Sequence, residues 1–242
     1  MSATIARAND TLIPYEENEY FPESDGKPMA ETDLHLEYMI YLLHALREYF
    51  RNDQMVYVTG NIFMYYLDEA NVRQGISPDI MVIFGVEKKE RRIYKVDDEG
   101  KAPDVVIELI STSTKLEDKV TKPLVYAYLG VREYYLFDPF GDTIKSGLQG
   151  YVLEDGNYAP RSLDAESSLY SENLGLQLKV KDGWLRLYDP KSGVRLKAPK
   201  EVEDELRTAH AKIEQESKAR QAAEAEVARL RAELAKFQSK QK

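Results

Sequence analysis

A single glutamate, Glu108, interrupts the otherwise apolar run Val105-Val106-Ile107-Glu108-Leu109-Ile110. The run lies between Pro103-Asp104 and the hydroxyl cluster Ser111-Thr112-Ser113-Thr114, so it reads as a strand buried on both faces, where an unpaired carboxylate is costly. A cation must face it. A second apolar run, Ile80-Met81-Val82-Ile83-Phe84, opens with Asp79. Two carboxylates at or near the ends of adjacent buried strands can converge on one divalent metal.

Metal-dependent phosphodiester cleavage needs carboxylates to hold Mg²⁺, a water activated by it, and a cation near the scissile phosphate. On a strand, the residue two past Glu108 points to the same face, and a lysine there would complete the set; this position is Ile110. The cation must come from elsewhere. Lys122 and Lys119, three residues apart on the helix that follows, could each reach back over the sheet. A structural Lys122–Glu108 ion pair with no metal is the competing reading.

Other chemistries lack support. His44 and His210 have no ligand spacing with a cysteine or a second histidine, which disfavours zinc. No glycine-rich phosphate loop, dinucleotide fingerprint or nucleophile elbow is present. The hydroxyls at 111 to 114 could touch phosphate, but capping a turn is their commoner role. The 17 tyrosines fall mostly at core spacing and read as core and rim rather than a base-stacking platform.

The formal charge is -9, and residues 199–242 hold 10 Lys/Arg and 9 Asp/Glu, which leaves 23 and 33 for residues 1–198. A net charge near -10 on that larger part argues against sequence-independent wrapping of a polyanion, though not against a narrow, metal-bridged phosphate contact. Lys88, Lys89, Arg91, Arg92 and Lys95 form one basic patch that could touch a nucleic-acid backbone or simply be a solvated hairpin. With no cysteine, no basic-then-apolar N-terminal pattern and no apolar run near 18 residues, the chain reads as soluble and cytoplasmic, with no membrane partner.

The elements that must position the carboxylates follow from periodicity. Residues 1–28 are polar and read as an arm. Leu34, Tyr38, Tyr41, Leu42, Ala45 and Tyr49 recur at helical spacing, with Thr32 or Asp33 as cap. Residues 55–59 and 62–66 read as strands of a hairpin around Gly60-Asn61, and residues 85–101 as a charged, protruding hairpin or loop. A helix over Asp118 to Leu129, stopped by Gly130, precedes the strand Tyr134-Tyr135-Leu136-Phe137. Asp155-Gly156 and Asp182-Gly183 mark two hairpins. The sum is an α/β domain with a mixed central sheet flanked by helices, over residues 29–198.

Residues 199–242 differ in kind. Leu206, Ala209, Ile213, Glu216, Arg220, Ala223, Val227, Leu230, Leu234 and Phe237 alternate steps of three and four, the seam of a coiled coil. The spacing predicts a long helix that pairs with another copy, giving a homodimer, or with a partner. Glu216 and Arg220 weaken the middle of the seam and would set its register.

Family resemblance joins these pieces. Ser77-Pro78-Asp79-Ile80, then residues 102–114 around Glu108, then Asp118 to Lys122 and Tyr126, then Gly130-Val131-Arg132-Glu133-Tyr134-Tyr135-Leu136-Phe137-Asp138-Pro139 resemble the Uma-two family, of the PD-(D/E)xK nuclease superfamily. The resemblance spans about residues 29–190. It implies a restriction-endonuclease-like core that acts on DNA, in which Asp79 and Glu108, with the Leu109 carbonyl, bind Mg²⁺ or Mn²⁺. Lys122 would be the catalytic lysine, displaced from the strand to the next helix, with Lys119 the alternative. Such folds often add an acidic residue from the first helix, here Glu31 or Glu37 acting through a water, although a solvated helix face is the commoner place for such a glutamate. His35 stands where the family often has histidine and could approach the site or pack between helix and sheet. A catalytically silent nuclease fold that binds or assembles through its C-terminal coiled coil is the alternative function.

Overall fold

The computed structural model describes residues 21–22, 32–110 and 120–240. They belong to two compact units that divide between Leu196 and Lys197.

The first unit is built on three largely apolar runs. β4 (Ile80–Phe84), β6 (Val105–Leu109) and β7 (Glu133–Phe137) are buried along almost their whole length, as strands covered on both faces must be. They lie at the centre of a six-stranded mixed sheet of order β1-β4-β6-β7-β8-β9, with β1 at Val56–Thr59, β8 at Leu148–Glu154 and β9 at Asn157–Arg161. All neighbours are antiparallel except β6 and β7, whose parallel pairing follows the crossover through helix α3 (Lys122–Leu129). That crossover fixes which helix overlies Glu108.

Helix α1 (Asp33–Tyr49) begins at Thr32, whose side chain accepts a hydrogen bond from the His35 amide at 3.2 Å. Its buried stripe of Tyr38, Tyr41, Leu42 and Ala45 packs on the sheet, with Tyr38 edge-on to Phe137 at 5.1 Å. Leu136, one residue away on β7, belongs instead to the core cluster of Val106, Ile110, Tyr126 and Tyr134. Adjacent strand residues point to opposite faces, so α1 and α3 cover opposite faces of the sheet.

The two expected hairpins are present. β8 and β9 close at Glu154–Asn157 with Asp155 and Gly156 both at positive φ (47° and 80°). β11 (Leu176–Lys181) and β12 (Trp184–Tyr188) close in the same way over Asp182 and Gly183 (52° and 75°), in a second sheet with β10 (Ser168–Ser171).

Two expectations are corrected. Residues 55–66 are not a hairpin: β1 joins the main sheet beside β4, whereas β2 (Met64–Leu67) joins a third sheet with β3 (Arg73–Ile76) and β5 (Tyr94–Lys95). Gly60-Asn61 is a passage between sheets, held by the Asn61 amide donating to the Pro78 carbonyl at 2.9 Å. Residues 85–101 do not protrude as a hairpin either. Tyr94 is fully buried, pairs β5 in parallel with β2, and donates its hydroxyl to the Lys101 carbonyl at 2.8 Å; helix α2 (Val96–Glu99) follows. Burial of one large aromatic outweighs the solvation of its charged neighbours.

The second unit is the helix α4 (Pro199–Lys240). Leu206, Ile213, Val227, Leu230 and Leu234 of the heptad seam are all exposed. Arg220 bonds Glu224 on its own helix at 2.8 Å. No described helix is long and apolar enough to cross a membrane.

Candidate active site

Pairing of β4 against β6 brings the two carboxylates together. Ile80 lies opposite Ile107, so Asp79, one residue before, falls beside Glu108. The backbone ties them in both directions: the Leu109 amide donates to Asp79 Oδ2 at 2.7 Å, and the Asp79 amide approaches Glu108 Oε2 at 3.4 Å. The close approach of β1 at this point requires glycine. A Cβ at Gly60 would lie 1.9 Å from the Asp79 carbonyl oxygen.

Glu108 has no solvent exposure and is met from α3 by two donors. Lys122 Nζ donates to Oε2 at 2.8 Å and the Tyr126 hydroxyl to Oε1 at 2.5 Å. Lys122 and Tyr126 are four residues apart, hence on one helix face. Lys122 occupies the first turn of α3, where the helix dipole disfavours a cation; the facing Glu108 carboxylate compensates. Its ammonium also reaches the Ser77 carbonyl at 3.4 Å.

Asp79 is the part of the cluster open to solvent, with its side chain 15% exposed. Burial pushes its carboxyl up, but His35, the Lys122 charge and the Leu109 amide together hold it below the ordinary carboxylate range. His35 Nε2 lies 3.8 Å from Asp79 Oδ1. Burial, with the Glu108 charge and hydrogen bond added, pushes the Tyr126 hydroxyl well above the usual phenol range.

Asp79, Glu108, Lys122 and the Leu109 backbone thus occupy one locus, and Ile110 is buried in the adjoining core, supplying no charge. His35 approaches Asp79 rather than only packing. Glu37 is exposed on α1. Glu31, residues 111–114, Asp118 and Lys119 lie outside the described residues. The residue that sequence reasoning assigned to the core and that the geometry brings to the site is Tyr126. Its spacing of four from Lys122, on a helix needed to satisfy Glu108, was the available signal.

Among the described residues no three His, Cys, Asp or Glu side chains cluster as a ready-made metal cage. The donor chemistry nonetheless fits Mg²⁺, which takes hard oxygens and is usually held by one or two carboxylates, with water and phosphate completing the shell. Glu108 Oε2 accepts from Lys122 and, at longer range, from the Asp79 amide, Oε1 accepts from Tyr126, and Asp79 is the more exposed of the two carboxylates.

A second buried carboxylate, Glu133, has a different environment. It accepts from the Tyr135 hydroxyl at 3.2 Å, the amides of Glu172 and Asn173 at 2.9 and 3.3 Å, and Ser171 Oγ. It fastens the β10–β12 sheet to β7.

A crystal structure from Anabaena variabilis ATCC 29413, described as a "putative nuclease belonging to DUF820", is similar with a TM-score of 0.47 and 15% identity, covering 64% of this chain and 86% of that one. No curated protein matches. Residues 15–185 match the Uma2 family, whose description is "Putative restriction endonuclease". This match includes every residue of the cluster just described and most of the chain, which therefore belongs to the Uma2 family of restriction-endonuclease-like nucleases.

Proposed function

We propose that the chain is a Mg²⁺-dependent endonuclease that hydrolyses DNA phosphodiester bonds. The observation that carries this reading is the convergence of Asp79 and fully buried Glu108 from adjacent strands, with Lys122 Nζ 2.8 Å from the glutamate. Asp79, Glu108 and the Leu109 carbonyl would hold Mg²⁺, or Mn²⁺ in its place. When bound, the metal supplies Lewis-acid polarisation of phosphate and lowers the pKa of water.

The protein's own contributions follow from its contacts. Asp79, with its depressed pKa, stays a carboxylate at neutral pH and is the more exposed carboxylate of the pair. Lys122 offers a fixed positive charge to a scissile phosphate or its attacking water, and Glu108 prevents that ammonium from turning away. Tyr126 fixes the glutamate's other oxygen. His35 braces Asp79 from α1.

The helix α4 would make the enzyme a homodimer through residues 199–242, bringing two sites to two strands. The exposed seam also supports the rival, a silent nuclease fold that works as an assembly module. Thermal melting with Mg²⁺ or Mn²⁺, read beside cleavage of supercoiled DNA, separates them. A working site stabilises the folded protein by about 2.7 kcal/mol at 100 times Kd, and Asp79→Ala removes the response. No metal response and no cleavage would favour the module.

A further inference from the structure

The unit that carries the site is strongly acidic, yet one groove beside it has the opposite sign. This groove, of about 930 Å³, has β1 residues Tyr57 to Thr59 as its floor. The end of α1 forms one wall and the connection from β4 to β5 the other. Arg47, Arg51, Lys88, Lys89, Arg91 and Arg92 line it against Glu48 and Glu90, and with Glu99, which pairs with Arg91, the local excess is three positive charges.

The walls are built rather than incidental. The Lys88 amide donates to the Gln54 carbonyl at 2.8 Å, and its ammonium reaches the Phe50 and Arg51 carbonyls, both at 3.4 Å. These bonds strap the β4–β5 connection to the end of α1. Arg91 is held by Glu99 at 2.6 Å and lies over the Tyr57 ring at 4.3 Å, closing the connection onto β1. Arg47 Nε donates to the Val58 carbonyl at 3.1 Å. The side chains of Arg51, Lys89 and Arg92 remain exposed along the rim.

The groove also has a direction. Its lining includes Gly60, the residue packed so tightly on the Asp79 carbonyl that no Cβ fits between them. A ligand lying in it therefore comes up against the turn that carries Asp79. A row of cations on a narrow track suits a regularly spaced polyanion, because each phosphate releases its own counterion on contact. The acidic remainder of the unit keeps such a ligand to this one path.

We propose that this groove holds the phosphate backbone of duplex DNA and leads it to Asp79, an inference that rests on the nuclease reading above. The test is fluorescence anisotropy of a labelled duplex of about 30 base pairs with the full-length protein in EDTA, over about 50 to 200 mM salt. Arg51→Glu/Lys89→Glu is compared with wild type and with Lys145→Glu/Lys191→Glu, an equal charge change at exposed lysines outside the groove. The groove variant should bind at least about tenfold more weakly, with its salt slope smaller by about two, while the outside variant stays near wild type. Equal losses in both variants, or wild-type binding by the groove variant, would overturn the proposal. So would displacement of the DNA by an equal mass of polyglutamate, which would mark the groove as a site for acidic protein.

Because no metal is present, binding is read apart from cleavage. Groove-dependent binding by a protein that never cuts would count against the nuclease reading alone. Cleavage with groove-independent binding would count against this proposal alone.

Discussion

Lys122 Nζ and Glu108 Oε2 stand 2.8 Å apart, with the lysine side chain 7% exposed and the glutamate not at all. Bringing two charges out of water is offset only by such a geometry with further hydrogen bonds, which Tyr126 and the Ser77 carbonyl supply. Removing one partner should therefore cost far more than removing both. Lys122→Met is expected to lose about 3–5 kcal/mol in urea unfolding, and Lys122→Met/Glu108→Leu to recover most of it. Equal instability of the single and double variants would show that the pair is not what holds the two charges in the interior.

Tyr126→Phe deletes one hydroxyl and leaves the ring in the core. Loss of a hydrogen bond to a charged acceptor should cost about 1.5–3 kcal/mol. The effect on cleavage should appear in kcat rather than KM, since Glu108 would lose the donor that fixes Oε1. Unchanged stability and turnover would return Tyr126 to a simple packing role.

Much of this arrangement is legible in the sequence, for identifiable reasons. Asp155-Gly156 and Asp182-Gly183 each combine two residues that tolerate positive φ with β-prone flanks, so turn type and pairing follow from local chemistry alone. Glu108 announces itself because a charge inside an apolar strand has few solutions, and Lys122 is one of them. Gly60-Asn61 offers the same local signal and misleads, because its glycine serves contact with Asp79 across the sheet, which adjacent residues do not record. Tyr94 is hidden among charges, and its burial depends on a parallel partner, β2, some 30 residues earlier in the chain. Tyr126 and His35 look like ordinary members of apolar helix faces until the topology sets those faces against the carboxylates.

The pH dependence of stability should carry the signature of Asp79. Its folded-state pKa is depressed below the ordinary value near 3.9, so the stability it contributes is fully present above that value and is lost as pH falls through the folded pKa. Asp79→Asn cannot titrate. Its stability difference from wild type should be constant from neutral pH to about pH 5 and shrink in wild type's disfavour below about pH 4, measured by denaturant unfolding at each pH. A difference that stays constant to pH 2 would contradict the ionised state assigned to Asp79.

The α4 seam makes a prediction about assembly. Ile213 is a 64% exposed apolar member of the seam, and a glutamate there would place charge in the core of the paired helices. Sedimentation equilibrium should find wild type dimeric and Ile213→Glu monomeric, with the first unit's unfolding unchanged. A monomeric wild type would show that the α4 seam does not pair two copies of the chain.

Asp79, Glu108 and Lys122 are expected to act together on a phosphodiester. Nicking and linearisation of supercoiled plasmid with Mg²⁺ or Mn²⁺ tests this most directly, comparing wild type with Asp79→Ala, Glu108→Gln and Lys122→Met after each is confirmed folded by circular dichroism. Wild type should cleave in a metal-dependent way, and every variant should be slower by at least about 100-fold. Cleavage that survives in all three folded variants, or that proceeds equally well in EDTA, would contradict that joint role.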